Sequence, residues 1–212
     1  MKVRVPGILM NEKLSNISKM FDKVLKDCVT SNIKITLYFD HIRIQAMNER
    51  ITYTDDIFDV NTDISCDHKF SFLVDAGTLI SFFKNHNQDI EIEIKNDYSI
   101  VFKYDRGSFS STWIEDKAFP DFFYPVGDGI RVMSSSFIQS MKRSFAFVGS
   151  DEFRPAIGSI LLNVKKEYID IVSTDMFRLF INRKEYANAV EERSIMLSEV
   201  AASILYRFLS DK

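Results

Sequence analysis

The residues that could carry out chemistry in this 212-residue sequence are scattered rather than grouped. The histidines His41, His68 and His86 lack the spacing of metal ligands. The sequence contains no phosphate-binding GxxxxGKS/T or GxGxxG motif and no GxSxG nucleophile motif. Its paired carboxylates, Asp55-Asp56 and Glu191-Glu192, are expected to lie in solvated polar loops. We therefore predict no catalytic residue, no metal site and no cofactor, although many active sites lack a local signature.

Lysine and arginine on the predicted helices form a second group of candidates. Residues 11–27 carry four lysines against three acids, and residues 135–150 carry Lys142 and Arg143 without an acid. Such cations gain free energy by releasing counterions from a phosphate backbone. The formal net charge of −3 argues mildly against a nucleic-acid partner. The alternative is that these are ordinary solubilising charges on exposed helix faces.

Composition indicates an ordinary globular protein, with 46% hydrophobic and 27% charged residues. Cys28 and Cys66 lie in unlike contexts and are predicted to be free thiols in a reducing compartment. No apolar stretch approaches the length of a membrane helix, and residues 1–13 lack the apolar core of a signal peptide. We expect a soluble, cytoplasmic protein without a membrane partner.

Hydrophobic periodicity predicts the elements that position these residues. Apolar residues at three-and-four spacing predict helices over 11–27, 75–86, 135–147 and 198–209. Asp75 and Ser198 are the predicted N-caps of the second and fourth helices. Alternating apolar residues predict strands over 33–39, 42–47, 90–94, 100–104, 160–164, 168–173 and 178–182. This pattern predicts an α+β fold.

The order of elements begins again after a predicted boundary near Val126. An offset of 123 residues relates Val74-Asp75 to Leu197-Ser198. The same offset pairs Lys84 with Arg207, Leu14 with Phe137, and Lys19 with Lys142. The second unit has no closing strands, which would leave Ile204, Leu205 and Phe208 poorly covered. We expect one unit over 1–126, a second over 127–212, and a longer natural protein.

Several segments resemble the bacterial DNA sliding clamp, the beta subunit of DNA polymerase III. FLVDA at 72–76 resembles the point where a strand of that family enters a helix, and RGSFS at 106–110 resembles one of its strands. AFPDF at 118–122 resembles the motif that closes its first domain. The most specific match is FRPA at 153–156, followed at the family's spacing by GSILL at 158–162 and STDMFRL at 173–179. Residues 1–66 match only loosely.

The resemblance implies the DNA-clamp fold, in which repeated units place two helices on the inner wall of a ring and antiparallel sheets outside. Three domains per subunit and two subunits per ring are implied, so residues 1–126 would be domain one and 127–212 most of domain two. The implied function is DNA replication as a non-catalytic processivity factor. Such a homodimer ring encircles duplex DNA near the nucleoid and tethers DNA polymerase, the clamp loader and other partners.

The resemblance also implies residues that face DNA. The helix cations and Arg154 would take this role, although Arg154 could instead form a structural salt bridge. The family usually carries basic residues at the start of its second helices, where this chain has Gly77, Thr78, Glu199 and Val200, which favours topological over adhesive retention. The predicted DNA-binding residues are Lys19, Lys23, Lys26, Lys84, Lys142, Arg143, Arg154 and Arg207.

A second implied site is an apolar groove between domains two and three that receives short hydrophobic peptide motifs of partners. Met176-Phe177 stands where the family has Gly-His, so the groove should be bulkier and more apolar. Alternatively, Ile157, Phe177 and Leu179 are core residues. Without domain three the chain should bind peptides poorly and should not close a ring. A clamp-like adaptor that binds proteins without encircling DNA remains the alternative function. The predicted pocket residues are Ile157, Thr174, Met176, Phe177, Arg178 and Leu179.

Overall fold

The computed structural model describes residues 1–20, 31–47, 51–65, 68–120, 131, 133–151, 153–185 and 191–210. The chain divides into two compact units, Met1–Phe123 and Tyr124–Lys212. This division and the predicted boundary near Val126 both fall within residues 121–130, which lie outside the described residues. Cys28 and Cys66 also lie outside the described residues. Within the described part of the chain, no helix is long and apolar enough to span a membrane.

The first unit builds two five-stranded antiparallel sheets and two helices. One sheet has the order β5-β1-β7-β8-β9, with β1 Lys2–Pro6, β5 Asn61–Thr62, β7 Asp89–Ile94, β8 Ser99–Tyr104 and β9 Gly107–Thr112. The other has the order β10-β6-β2-β3-β4, with β2 Asn32–Leu37, β3 Ile42–Met47, β4 Thr52–Ile57, β6 Phe70–Asp75 and β10 Ile114–Glu115. Helices α1 and α2 pack against each other and span Gly7–Met20 and Ala76–Lys84.

Helix α1 begins at Gly7, so the predicted start at residue 11 is wrong. Strand β1 runs directly into the helix, and the Gly7 N–H donates to the carbonyl oxygen of Gln88 at 3.1 Å. A Cβ at Gly7 would collide with that oxygen, which explains the glycine. Met10, Leu14 and Ile17 are buried on one face. The predicted continuation over 21–27 lies outside the described residues.

Helix α2 confirms its predicted cap. The Asp75 carboxylate oxygen Oδ2 accepts from the Thr78 N–H at 2.7 Å and from the Thr78 hydroxyl at 2.8 Å. The helix ends at Lys84, two residues before the predicted end at His86. Leu79, Phe82 and Phe83 are buried, because this face of the helix packs inward.

The described residues of the second unit form helices α3 Ser134–Ser144 and α4 Glu199–Ser210 and the strands β11 Ser159–Val164, β12 Tyr168–Thr174, β13 Leu179–Glu185 and β14 Arg193–Ser198. The strands form an antiparallel sheet in the order β13-β12-β11-β14. Helix α3 ends at Ser144 and is followed by a 3-10 turn over Phe145–Phe147, rather than continuing to 147 as predicted. The Ser198 hydroxyl accepts from the Ala201 N–H at 3.3 Å and confirms the second cap.

One face of this sheet packs on helices α3 and α4. Ile204 is buried at 8% exposure, and Leu205 and Phe208 are half-buried. The expectation that Ile204 would be poorly covered is therefore wrong, because α4 lies against β11 and β14. The buried core consists of Phe137, Met141, Ile160, Leu162, Val164, Ile169, Ile171 and Ala202.

The two units repeat one substructure, since β2, β3, β4 and β6 correspond in order and pairing to β11, β12, β13 and β14. The cross-strand pair Leu37–Ile42 matches Val164–Ile169, an offset of 127 residues. The offset of 123 holds only from β6 and β14 onward, because the connection that precedes β14 is shorter.

The offset of 127 also changes how the first helices of the two units correspond. In this register Leu14 corresponds to Met141, and both side chains are fully buried. The predicted pairings of Leu14 with Phe137 and of Lys19 with Lys142 are therefore wrong. Position 142 corresponds instead to position 15, which is a serine.

One ion pair occupies equivalent positions of both units with opposite polarity. Arg43 on β3 holds Asp56 on β4, with Nε–Oδ1 2.7 Å and Nη2–Oδ2 3.0 Å. Arg183 on β13 holds Asp170 on β12 with the same atoms at 2.8 and 3.0 Å. Each pair faces its partner directly across the two strands. Asp56 therefore lies in a strand and an ion pair, not in the predicted solvated loop.

Candidate functional site

Each of the four α-helices in the described residues carries a basic residue in its last turn. These residues are Lys19 in α1, Lys84 in α2, Lys142 and Arg143 in α3, and Arg207 in α4. Cations at this end also interact favourably with the helix macrodipole, by about 0.3–1 kcal/mol each. Their position thus has a structural explanation beside a role in phosphate binding.

Four of these cations are available to a ligand. Lys84, Lys142, Arg143 and Arg207 are exposed, and none forms a salt bridge with another described residue. Lys19 differs from these four, because its side chain is half-buried and already interacts with other groups of the chain. The correspondence of Lys84 with Arg207 is retained, because both lie beyond the shift in offset. Lys23 and Lys26 fall outside the described residues.

Two features reduce the cationic character of the helix surfaces. Lys13, which contributed to the charge expected of the first helix, is bound to Asp55 on β4 at 3.0 Å. At the start of α2, Gly77 is exposed and the Thr78 hydroxyl is held by Asp75. At the start of α4, Glu199 and Val200 are exposed. The N-terminal turns of α2 and α4 therefore present no cation.

Arg154, for which the sequence allowed either a DNA contact or a structural salt bridge, forms a salt bridge with Asp151. Its Nε and Nη2 lie 2.7 and 2.6 Å from Oδ2 of Asp151. Oδ1 of Asp151 accepts from the N–H groups of Phe153 and Arg154 at 2.9 and 3.1 Å. The hydrogen bond with Arg154 holds the pKa of Asp151 below its usual range. The Arg154 side chain is 56% exposed.

Five of the predicted pocket residues lie in or directly beside the tight turn that joins β12 to β13: Thr174, Met176, Phe177, Arg178 and Leu179. The Thr174 hydroxyl donates to the carbonyl oxygen of Arg178 at 2.8 Å and accepts from the Met176 N–H at 3.1 Å. Oδ1 of Asp175 accepts from the N–H groups of Phe177 and Arg178 at 3.0 and 2.7 Å. These bonds fix the backbone of the turn.

Arg178 ties this turn to the end of α3. Its Nε and Nη2 contact Oδ2 of Asp175 at 2.9 and 2.7 Å, and Nη2 also donates to the carbonyl oxygen of Ala146 at 3.2 Å. The guanidinium carbon lies 5.3 Å from the ring centroid of Phe147. The hydrogen bonds from Arg178 lower the pKa of Asp175. Arg178 therefore fastens the turn and is not a free cation.

The apolar members of the predicted pocket divide between core and surface. Ile157 is buried at 9% exposure, so the core interpretation applies to it. Phe177 is 94% and Leu179 61% exposed, so for these two the core interpretation is wrong. Met176 is 55% exposed and has a backbone φ of 76°, a left-handed conformation that a side chain with a Cβ rarely adopts. An exposed apolar turn thus stands beside a buried apolar floor.

Gly149 lies between the buried Ile157 and the turn at 175–178. Its N–H donates to the carbonyl oxygen of Ile157 at 3.0 Å. A Cβ at Gly149 would lie 2.5 Å from Cγ2 of Ile157 and 3.2 Å from Cα of Asp175, so the backbone touches both. The sequence analysis missed Gly149, Asp151 and Asp175. The repeated pattern Asp-x-Phe-Arg, at 151–154 and 175–178, was a signal that could have revealed the two aspartates.

The described residues contain no group of three or more His, Cys, Asp or Glu side chains arranged to hold a metal ion.

Units of two helices on antiparallel sheets, repeated along one chain, define the DNA-clamp fold. No protein-family model matches this sequence, and no curated protein matches it.

Solved structures of bacterial sliding clamps share this fold over the whole chain. The sliding clamp of Bacillus subtilis superposes with a TM-score of 0.85 at 16% identity, covering 100% of this chain and 57% of that protein. The polymerase III beta subunit of Thermotoga maritima gives 0.78 at 19% identity, with 100% and 56% covered. The Pseudomonas aeruginosa clamp, solved with griselimycin bound, gives 0.81 at 15% identity, with 100% and 57% covered. The chain thus has the fold of the sliding clamps and spans a little over half their length.

Proposed function

We propose that this chain acts within a DNA sliding clamp, a non-catalytic processivity factor that encircles duplex DNA and tethers DNA polymerase and the clamp loader to it. The observation that carries the proposal is the likeness to sliding clamps over 100% of the chain, with a TM-score as high as 0.85. Residues 1–126 would be the first clamp domain and residues 127–212 most of the second. The full assembly would be a homodimeric ring in the cytoplasm, associated with the nucleoid.

Duplex DNA would be held through its phosphates. A clamp must slide, so it needs backbone contacts that position DNA without reading base sequence. Lys84, Lys142, Arg143 and Arg207 are exposed on helices and fit this role. Each cation that reaches a phosphate adds about 0.9 to the slope of log affinity against log salt concentration. With few such cations, retention would depend on enclosure more than on adhesion.

Partners would be held at the turn 174–179 and its floor Ile157. An apolar anchor that enters a formed groove can supply most of the energy of a short peptide interface. Phe177 and Leu179 offer exposed apolar surface on a backbone that Asp175 and Arg178 hold in place. Polymerase and other replication proteins would dock here through short hydrophobic motifs.

The first test measures binding of a fluorescent DNA duplex at increasing salt. Two unrelated duplex sequences should bind equally, because only phosphates are contacted. Changing Lys84→Ala and Arg207→Ala together should weaken binding and reduce the salt slope by about 1.8. Lys166→Ala is the matched control, since Lys166 is exposed in the β11–β12 connection and is not part of a helix. An equal effect of the control and the helix variant would contradict the assignment of the DNA surface.

A second candidate function is a clamp-like adaptor that binds proteins without encircling DNA. The observation that favours it is the lack of cations in the first turns of α2 and α4, where Gly77, Glu199 and Val200 are exposed. Loading onto a nicked circular plasmid by a clamp loader separates the two functions. Release that occurs only after the plasmid is cut to a linear form supports encirclement. Peptide binding without any retention on the circle favours the adaptor.

A further inference from the structure

Two turns of the second unit are built in the same way. In both, an aspartate accepts from two N–H groups through one oxygen and from an arginine through the other. For Asp151 the distances to the N–H groups of Phe153 and Arg154 and to the Arg154 Nε are 2.9, 3.1 and 2.7 Å. For Asp175 the distances to Phe177, Arg178 and the Arg178 Nε are 3.0, 2.7 and 2.9 Å. The same local structure therefore occurs twice.

Each turn holds a phenylalanine out in solvent. Phe153 and Phe177 are both 94% exposed, and among the described residues the next most exposed large apolar side chain is Met133 at 72%. A side chain this exposed adds almost nothing to the core, because burial of apolar surface is what stabilises. In both turns the backbone is nevertheless held by hydrogen bonds from the N–H groups of the phenylalanine and of the arginine that follows it. The turns thus present two apolar side chains at low conformational cost.

The two turns stand side by side. The Ile157 N–H donates to the carbonyl oxygen of Arg154 at 2.9 Å, so Ile157 closes the first turn. Gly149 touches both Ile157 and the backbone of Asp175 in the second turn. The buried Ile157 is therefore close to both turns, each of which carries one of the exposed phenylalanines.

The charges around the two phenylalanines define the chemistry of an occupant. The side chains of Arg154 and Arg178 are 56% and 61% exposed. Their partners Asp151 and Asp175 keep only 18% and 17%. In each ion pair the arginine is the more exposed member, so an approaching molecule meets apolar side chains and arginine N–H groups rather than carboxylates, which complements a peptide with apolar side chains and a carboxylate.

We propose that Phe153 is a second apolar anchor of the peptide site at 174–179, presented by a copy of the turn that presents Phe177, and that the occupant is an extended acidic peptide with two apolar side chains. This inference rests on the proposed peptide site and adds a specificity-determining residue to it. One apolar side chain of the peptide lies against Phe177 and Ile157, and the other against Phe153. A carboxylate of the peptide meets the exposed arginine side chains.

Two synthetic peptide series test the proposal. The first has the form acetyl-Asp-Leu-(Gly)n-Phe-amide with one to three glycines, and the second replaces the Phe by Ala. Binding is followed by the amide NMR signals of the 15N-labelled chain at residues 153–154 and 177–178. At one spacing, the two-anchor peptide should move both groups of signals and bind about tenfold tighter than its one-anchor partner, the scale of one aromatic contact. Changing the peptide Asp to Asn should weaken binding about threefold.

Three variants identify which claim fails. Phe153→Ser should remove the tenfold advantage and leave binding of the one-anchor peptide unchanged, whereas Phe177→Ser should weaken both peptides. Phe39→Ser is the matched control, since Phe39 is 58% exposed in the first unit. All three should leave thermal unfolding unchanged, because the side chains are outside the core. If Phe153→Ser binds both peptides as the parent does, this inference is overturned while the peptide site stands. If neither peptide moves the signals of residues 177–178, the peptide site itself is overturned.

Discussion

The ion pair between Arg43 and Asp56 should tolerate a complete exchange of its charges. In the second unit the same two positions hold Asp170 and Arg183, with the same atoms in contact at nearly the same distances. The backbone of this strand pair is therefore compatible with either polarity. The double variant Arg43→Asp with Asp56→Arg should unfold within about 0.5 kcal/mol of the parent, since it reproduces the arrangement of β12 and β13.

Each single reversal should be costly. Arg43 and Asp56 are only 29% and 28% exposed, so their attraction is stronger than that of a fully solvated pair. A reversal removes an attraction of about 0.7 kcal/mol and adds a repulsion of similar size between residues directly opposite on neighbouring strands. We expect about 1.5 kcal/mol of destabilisation for each single variant. The coupling energy of the pair is then about 3 kcal/mol, the upper range for residues in contact.

The free energies of unfolding of the parent, the two single variants and the double variant are measured by urea unfolding, followed by tryptophan fluorescence, which reports on the first unit. Trp113 is the only tryptophan of the chain, is 9% exposed, and donates from Nε1 to the carbonyl oxygen of Lys95 at 3.1 Å. Its signal therefore reports on the first unit. The matched control exchanges the charges of Glu115 and Lys117, an ion pair that is 44% and 83% exposed, and should give a coupling near zero. A double variant as unstable as the sum of the two single variants would refute the equivalence of the two pairs.

Three further outcomes follow from the same contacts. Met176→Gly should raise the free energy of unfolding by about 1 kcal/mol, because it relieves a φ of 76°, as seen by circular dichroism during thermal unfolding. Gly149→Ala should lower it by about 1–3 kcal/mol, since the new methyl group would lie 2.5 Å from Ile157 and 3.2 Å from the backbone of Asp175. Arg43 holds the pKa of Asp56 below its usual range, so this ion pair is fully stabilising above the unfolded-state pKa of about 3.9 and weakens as pH falls through the lower folded-state pKa. Asp56→Asn should therefore destabilise the chain at pH 6 and lose most of that effect near pH 2, measured by urea unfolding.

Strongly periodic strands such as β7 and β8 could be predicted from the sequence, whereas the polar strand β4 could not. Strand β7 alternates isoleucine with acidic residues, β8 places Ile100, Phe102 and Tyr104 at every second position, and both strands lie where predicted. Strand β4, with the sequence TYTDDI, was missed because its acidic residues bind side chains on other elements, Arg43 and Lys13. Tertiary pairing, which has no local signal, decides the conformation of such a segment.

The residues of the candidate site came from the resemblance to sliding clamps, and their geometry could not be predicted from the sequence. The resemblance to sliding clamps selected residues 174–179, and hydrophobicity alone left Phe177 and Leu179 equally compatible with a core. Their exposure depends on Asp175, whose carboxylate bends the chain so that these side chains point outward. The twofold pattern Asp-x-Phe-Arg was present in the sequence, and its meaning required the hydrogen bonds. The predicted equivalence of Lys19 and Lys142 failed because the offset between the units is not constant along the chain.

The position of the helix cations gives each of them two possible roles that stability alone cannot separate. A cation in the last turn of a helix interacts with the macrodipole, so its removal destabilises the helix whether or not DNA is bound. That interaction is local and does not depend on whether a phosphate is present. Counterion release, by contrast, changes the salt dependence of DNA affinity by a fixed amount for each phosphate contacted. Lys84 and Arg207 occupy equivalent positions in α2 and α4, so as DNA contacts they should reduce the salt slope equally and additively. As purely structural charges they would lower the melting temperature and leave that slope unchanged.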